Sequence, residues 1–368
     1  MLVLNGELQL DNGRIKGRSN LIHQIPTLLL QTYLMRILLP ILLILSACAP
    51  KASPAQIAQF PAQKCINLAN ALNAPNEGDW GYKIEETHIK AVAKAGFDSI
   101  RIPIAWSEHT AKQTPYTIDP DFLARVDEVI TQALNAGLMI IIDVHNFEEL
   151  NQNPTREVPR LRAIWQQIAW HYAKATDAVI FELLNEPMGK MSGRRWENLI
   201  RELITDIRKT NSDRWIIVGG DHWNSIDGMK KLNVPFDPRL VLTYHDYDPY
   251  NFTHQGASWI KNPPPTGTIW GSEKQHQNLR QTIATAAQVR ERTRMPVWLG
   301  EFGVHKSAPA RARQQWIRAM RSVAEAESIG WCVFDFGAEF AFWSMDTDTW
   351  NQPLLDALLA DEGQKTLP

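Results

Sequence analysis

Two glutamates end apolar, strand-like runs: Glu186 in Phe-Glu-Leu-Leu-Asn-Glu-Pro and Glu301 in Val-Trp-Leu-Gly-Glu-Phe-Gly. Two carboxylates held at the ends of two buried strands suit the cleavage of a glycosidic bond with retention of configuration. One protonates the departing oxygen while the other attacks the sugar carbon, and the first then deprotonates the water that frees the sugar. The neighbours of Glu186 fit this chemistry. Pro187 stiffens the exit from the strand, and the Asn185 amide can donate to a sugar 2-hydroxyl, a contact that tightens in the transition state. A lone Asn-Glu-Pro would read as a surface turn. The second carboxylate motif downstream gives it weight.

The pair must be held by a scaffold, and the chain alternates strand and helix from residue 65. The pattern predicts strands over 65–70, 99–104, 139–145, 179–185, 215–220, 240–245, 297–301 and 330–336. Several are near-continuous apolar runs, as when helices cover a parallel sheet. Helical spacing of apolar residues fills the gaps, as in Trp196, Leu199, Ile200, Leu203 and Ile207. Asp119-Pro120 predicts an N-cap and first helical position. Eight strands with helices between them match a single (β/α)8 TIM barrel, whose typical size is about 250 residues. A doubly wound sheet would carry a glycine-rich phosphate turn, which the sequence lacks. Arg101, His145, Asn185, Glu186, His245, Tyr247 and Glu301 all fall at or near the C-terminal ends of strands. That is the face on which barrels build their sites.

The composition is that of a globular chain: 368 residues, 44% hydrophobic, net charge −2. Near-neutral charge without a basic stripe argues against nucleic acid as a partner. Fourteen tryptophans are many, and about half are expected in or near a cleft, because exposed aromatics on loops serve binding. Before the barrel, Arg36 precedes the apolar run Ile37–Leu45 and then Leu45-Ser46-Ala47-Cys48. This has the layout of a secretory signal too short to span a bilayer, and its end is similar to a bacterial lipobox with Cys48 as the lipidated residue. The expected organisation is an upstream extension at 1–34 before a start at Met35, a signal at 35–47, a flexible tether at 48–62 and a catalytic barrel at 63–368. Cys65 and Cys332 fall on the first and last strands. We expect two unpaired, buried small side chains, with a disulfide as the alternative, since barrel closure makes those strands neighbours.

Taken in order, INLANALNAPNEGDWG, AGFDSIRIPIAWSEH, IIDVHNFEEL, FELLNEP, WNSID, YHDYDPYNFTHQGASW and VWLGEFG resemble glycoside hydrolase family 5, the retaining cellulase and mannanase family. The resemblance is greatest to its thermophile-type endoglucanase branch. It implies Glu186 as acid/base and Glu301 as nucleophile. It further implies support from Arg101, His145, Asn185, His245 and Tyr247, and sugar contacts from Asn67, Asn70, Glu77, Asn146 and Trp259. Two positions depart from the branch. Phe334 stands where a tryptophan usually floors the catalytic subsite, and Trp343 is expected to help fill that gap. Asn146 replaces the second of two histidines after strand three.

These residues lead to an exported enzyme, lipid-anchored to a bacterial membrane through Cys48. Its substrate would be a β-1,4-linked glucan, mannan or mixed polysaccharide or oligosaccharide. No organic cofactor is implied. Asp143, His145, His245, Asp246 and Asp248 suggest a metal site at first sight, but the early His-x-His of barrel metallohydrolases is missing. The alternatives are a non-catalytic, surface-anchored carbohydrate-binding lipoprotein and an exo-acting β-glycosidase.

Overall fold

The structure is a computed structural model and describes residues 57–360. The upstream extension, the signal segment and Cys48 lie outside the described residues. Eight strands close into one parallel barrel in chain order: β1 Lys64–Asn67, β2 Ser99–Ile102, β3 Met139–Asp143, β4 Val179–Glu182, β5 Ile216–Gly219, β6 Leu240–His245, β7 Val297–Phe302 and β8 Gly330–Val333. A two-residue hairpin, β9 Trp343–Ser344 with β10 Thr349–Trp350, follows the last strand. This is the expected (β/α)8 barrel.

Several ladders are shorter than expected because the strands part at the C-terminal mouth. Each makes one more bridging bond, such as Leu68 N–H to Arg101 O or Asn185 N–H to Val144 O, and then turns into a loop. Helices form where their signals lie. Asp119 accepts from the Asp121 and Phe122 amides to cap the helix Pro120–Asn135, satisfying donors the first turn leaves free. Trp196, Leu199, Ile200, Leu203 and Ile207 are all buried on the helix Arg194–Arg208.

Alternation along the strands explains why the interior is layered. Ile66, Ile100, Ile140, Ile142, Phe181 and Ile216 belong to the core shared with the helices. The alternate residues Cys65, Ile141, Ile180, Ile217, Val241, Trp298 and Cys332 form a second cluster with Phe60 and Ala62. Two residues further along, on the same face, come Asn67, Arg101, Asp143, Glu182 and Thr243, all buried. The barrel interior is thus apolar at its base and charged one layer higher.

Two expectations need correction here. The expected tether runs to residue 62, yet Phe60 and Ala62 are buried. Phe60 packs edge-on against Trp215 and Trp298, because the barrel base must be plugged by apolar surface. Cys65 and Cys332, expected unpaired, form a disulfide. They are direct register partners where β1 meets β8, a proximity that exists only once the barrel closes.

Candidate active site

Arg101 organises the charged layer. It is fully buried on β2 and donates from every face of its guanidinium. Nε and Nη2 bond both oxygens of Glu182, at 2.6 and 2.9 Å. Nη2 also reaches Asp143 at 2.8 Å and Asn185 Oδ1 at 2.7 Å, while Nη1 reaches Asn67 Oδ1 and Glu301 Oε1, each at 2.8 Å. Burial opposes its charge, but Glu182, Asp143 and Glu301 outweigh that and hold it protonated. Glu182 is itself raised, by burial, against the pull of Arg101. Removing one partner from such a buried network costs about 3–5 kcal/mol, so Arg101 serves the fold as well as the site.

Glu301 reaches the interior through a β-bulge. Tyr244 pairs with Leu299 and the next residue, His245, pairs with Glu301, so β7 carries one extra residue. Gly300 occupies it, and a Cβ there would lie 2.6 Å from Thr243 Oγ1. Glu301 Oε2 accepts from the Tyr247 hydroxyl at 2.9 Å, while Oε1 takes Arg101. Burial alone would push its carboxyl up. His245, Arg101, His145 and the Tyr247 hydroxyl together hold it below the ordinary range, the condition for an ionised nucleophile. Burial and Glu301 keep Tyr247 well above its usual value, so it stays a donor.

Glu186 follows β4 and is more open, with its side chain 29% exposed. Its Oε1 lies 2.8 Å from His245 Nδ1, which is also 3.6 Å from Glu301 Oε2. Burial would lower the His245 imidazole, but the two glutamates raise it. One carboxylate oxygen from each glutamate and a ring nitrogen of His245 all lie within 4.8 Å of one another. Retaining pairs have carboxyls about 5–5.5 Å apart and inverting pairs about 6.5–9.5 Å, and oxygens that approach this closely suit the shorter spacing. The same three atoms are close enough to ligate a cation. Of the other candidate ligands, His145 Nδ1 pairs with Asp143 at 2.7 Å, and Asp246 accepts from the Asp248 amide.

The pair opens into a cleft of about 1070 Å³ lined also by Asn70, His145, Asn185, Tyr247, Trp259, Phe334 and Trp343. Trp259 is 52% exposed, packed on His254, His305 and Phe340. Asn70 donates to Asp335 at 3.3 Å, a carboxyl that burial pushes up to about 7.

Three expected sugar contacts stand elsewhere. Asn67 is wholly buried, donating to Gly300 O and Val333 O, because its inward position lies below the mouth. Glu77 is held by Arg125 and by the Ile84 amide. Asn146 is exposed but is not among the residues that line the cleft, and it donates to Asn73 O. Trp343 lines the cleft but is buried, stacked on Phe336 at 5.3 Å, so its ring packs the loop. Nine of the fourteen tryptophans are buried and three line the cleft, fewer than the expected half. Sequence reasoning missed Glu182 and Trp80, and saw Asp143 only as a candidate metal ligand. The signal for both acids was a charge ending an apolar strand, Ile-Ile-Ile-Asp and Val-Ile-Phe-Glu.

Comparison with known proteins agrees with this geometry. A family model described as cellulase (glycosyl hydrolase family 5) matches residues 57–339. Endoglucanase H of Acetivibrio thermocellus is 31% identical over 319 residues, which cover 84% of this chain and 34% of that protein. The chain therefore spans about a third of that relative's length. Endoglucanase C of the same organism is 27% identical over 311 residues, covering 75% of this chain and 90% of its own. Among solved structures, Thermotoga maritima Cel5A superposes with a TM-score of 0.80 and 35% identity, over 81% of this chain and 98% of its own. That protein has been solved in complex with cellobiose and with mannotriose.

Proposed function

This chain belongs to glycosyl hydrolase family 5, and from that membership we propose that it is a retaining endoglucanase acting on β-1,4-linked polysaccharide. The observation that carries the reading is the close carboxylate pair in two unlike environments. Glu301 is buried and charge-stabilised; Glu186 is the more open of the two and faces the cleft. Glu301 attacks the anomeric carbon while Glu186 gives its proton to the leaving oxygen. A covalent glycosyl–enzyme forms and the leaving chain departs. Glu186 then takes a proton from water, which attacks the same carbon and restores both carboxyls. His245, touching both glutamates, compensates their charge as it passes from one to the other. The glucan preference is supported by the relatives named endoglucanase. Mannan enters the reading because Cel5A has been solved with mannotriose and because Phe334 offers a smaller floor than tryptophan. A phenyl ring covers less area and lacks the indole N–H.

The test is Glu301→Ala with an aryl β-cellobioside. Turnover should fall by several orders of magnitude, and added azide should restore it with formation of the α-glycosyl azide. Undiminished hydrolysis by the variant would remove Glu301 as the nucleophile.

The proposal extends to location and to the thermophile-type branch of the family. Export and lipid attachment at Cys48 are supported by the basic, apolar and small-residue order of 36–48. The Cys65–Cys332 disulfide supports the same reading, since such bonds persist in oxidising compartments.

A further inference from the structure

Asn67 is the last residue of β1 and stands opposite Arg101 in the ladder with β2. Its side chain is wholly buried and is not among the residues that line the cleft, so the reaction above gives it no sugar to hold. A buried amide left unpaired is costly, and this one is paired at both ends. Oδ1 accepts from Arg101 Nη1 at 2.8 Å. Nδ2 donates to Val333 O at 3.2 Å and to Gly300 O at 3.3 Å, and it lies 3.3 Å from Cys332 Sγ. The amide can face only one way. A guanidinium has donors alone and takes the oxygen, so the two carbonyls take the nitrogen. One side chain thereby ties together four strands, β1, β2, β7 and β8.

Two of these contacts converge on Glu301. Arg101 Nη1 carries two protons; it meets Asn67 Oδ1 and Glu301 Oε1, each at 2.8 Å. Glu182 grips Nε and Nη2, and Asn67 fixes the opposite end of the guanidinium, the end that meets Glu301. The second contact acts through the backbone. Gly300 is the extra residue of the β7 bulge and precedes Glu301. A bulge disrupts the regular ladder, and β7 shifts register against both β6 and β8 here. The Gly300 carbonyl accepts from Asn67, which reaches it from beyond β8. Glu301 is thus held at its carboxylate and at its preceding peptide by the same amide. Neutrality matters as well. Asp143, Glu182 and Glu301 already share the charge of Arg101, and an amide adds hydrogen bonds without a fourth carboxylate.

We propose that Asn67 is a positioning residue for Glu301, holding the bulge carbonyl and the Arg101 nitrogen that together aim the carboxylate at the anomeric carbon. This rests on the reading of Glu301 as the nucleophile. A misplacement of about 1 Å can cost about a hundredfold in rate. Asn67 therefore acts on the attack and leaves sugar binding alone.

The experiment measures trapping by 2,4-dinitrophenyl 2-deoxy-2-fluoro-β-cellobioside in the wild type, Asn67→Leu and Asn67→Ala. A carboxylate oxygen of Glu301 bonds to C1 as the C1–O bond breaks, and dinitrophenolate leaves with the electron pair. That leaving group needs no proton, so the rate reports the nucleophile without Glu186. Leucine nearly keeps the shape of asparagine and removes its polar atoms; alanine removes the shape as well. Arg101, His145, His245 and Tyr247, which act on Glu301, and Glu186, which acts on His245, are unchanged in both variants. In both, the saturating rate of trapping should fall about tenfold to a hundredfold, with the reagent's half-saturating concentration within about twofold of the wild type. A wild-type saturating rate in either folded variant, or a loss confined to half-saturation, would overturn the proposal. Variants that both fail to fold, read by their melting curves, would overturn it too, since Asn67 then serves the barrel. Mass mapping of the wild-type adduct tests the underlying reading separately. A label away from Glu301 removes that nucleophile and the proposal with it, whereas a label on Glu301 with undiminished trapping in the variants removes Asn67 alone.

Discussion

Replacing Tyr247 by Phe isolates one hydrogen bond to Glu301, the proposed nucleophile. The ring packs against His254, Phe334 and Phe340, contacts that a phenyl group retains. What is lost is the 2.9 Å donation to Glu301 Oε2. Arg101 still holds Oε1, so the carboxylate is not left bare. A hydrogen bond to a charged group contributes about 1.5–3 kcal/mol, and each pKa unit is 1.36 kcal/mol. The Glu301 carboxyl should therefore rise by about 1–2 units. Activity needs this group ionised, so the acid limb of kcat/KM should move to higher pH by that amount while the alkaline limb stays. Stability gives an independent readout. A carboxylate whose folded pKa is depressed stabilises the fold above its unfolded pKa, and that contribution is lost as pH falls through the folded value. The variant has less of it, so its melting temperature should trail the wild type most at neutral pH, with the gap closing under acid. An acid limb that stays in place or moves down, in a folded variant, would refute the claim that Tyr247 sustains the nucleophile's charge.

The remaining predictions concern the scaffold and the leader. Alanine at both Cys65 and Cys332 removes a crosslink spanning 267 residues. The expected cost is about 2–5 kcal/mol, or roughly 5–15 °C in melting temperature for a domain of this size. An unchanged melting curve, or free thiols at both positions in unreduced, denatured protein, would refute the bond. Cys48→Ala should abolish fatty-acid labelling in a bacterial host and move the protein from the membrane to the soluble fraction. A wild-type chain that is unlabelled and released would end the lipoprotein reading.

Much of the site was legible because barrels put their chemistry at strand ends. Glu186, Glu301, Arg101, His145, His245 and Tyr247 were all named from that regularity and from the family resemblance, and the structure brings them together. The expectations that missed share a cause: a position near the mouth is not in itself exposure to substrate. Asn67 faces inward one layer too deep, and Glu77 is claimed by Arg125. Trp80, on the turn that Glu77 braces, drew no notice, because sequence does not say which of fourteen tryptophans will find packing partners.

Periodicity and composition were sufficient for the eight strands, the helices between them and the strand-end chemistry, since these follow from local spacing and side-chain type. Distance and facing were not local. Simple alternation from Trp298 would turn Gly300 inward and Glu301 outward. The bulge at Gly300, visible in the pairing of β7 with both β6 and β8, reverses that and aims the carboxylate at Arg101 and Tyr247. Closure of β8 onto β1 likewise joins Cys65 to Cys332 and sets Trp80 in the wall of the cleft. A one-residue slip exchanges the two faces of a strand, so the direction of a side chain belongs to the assembled sheet, not to the run of residues that contains it.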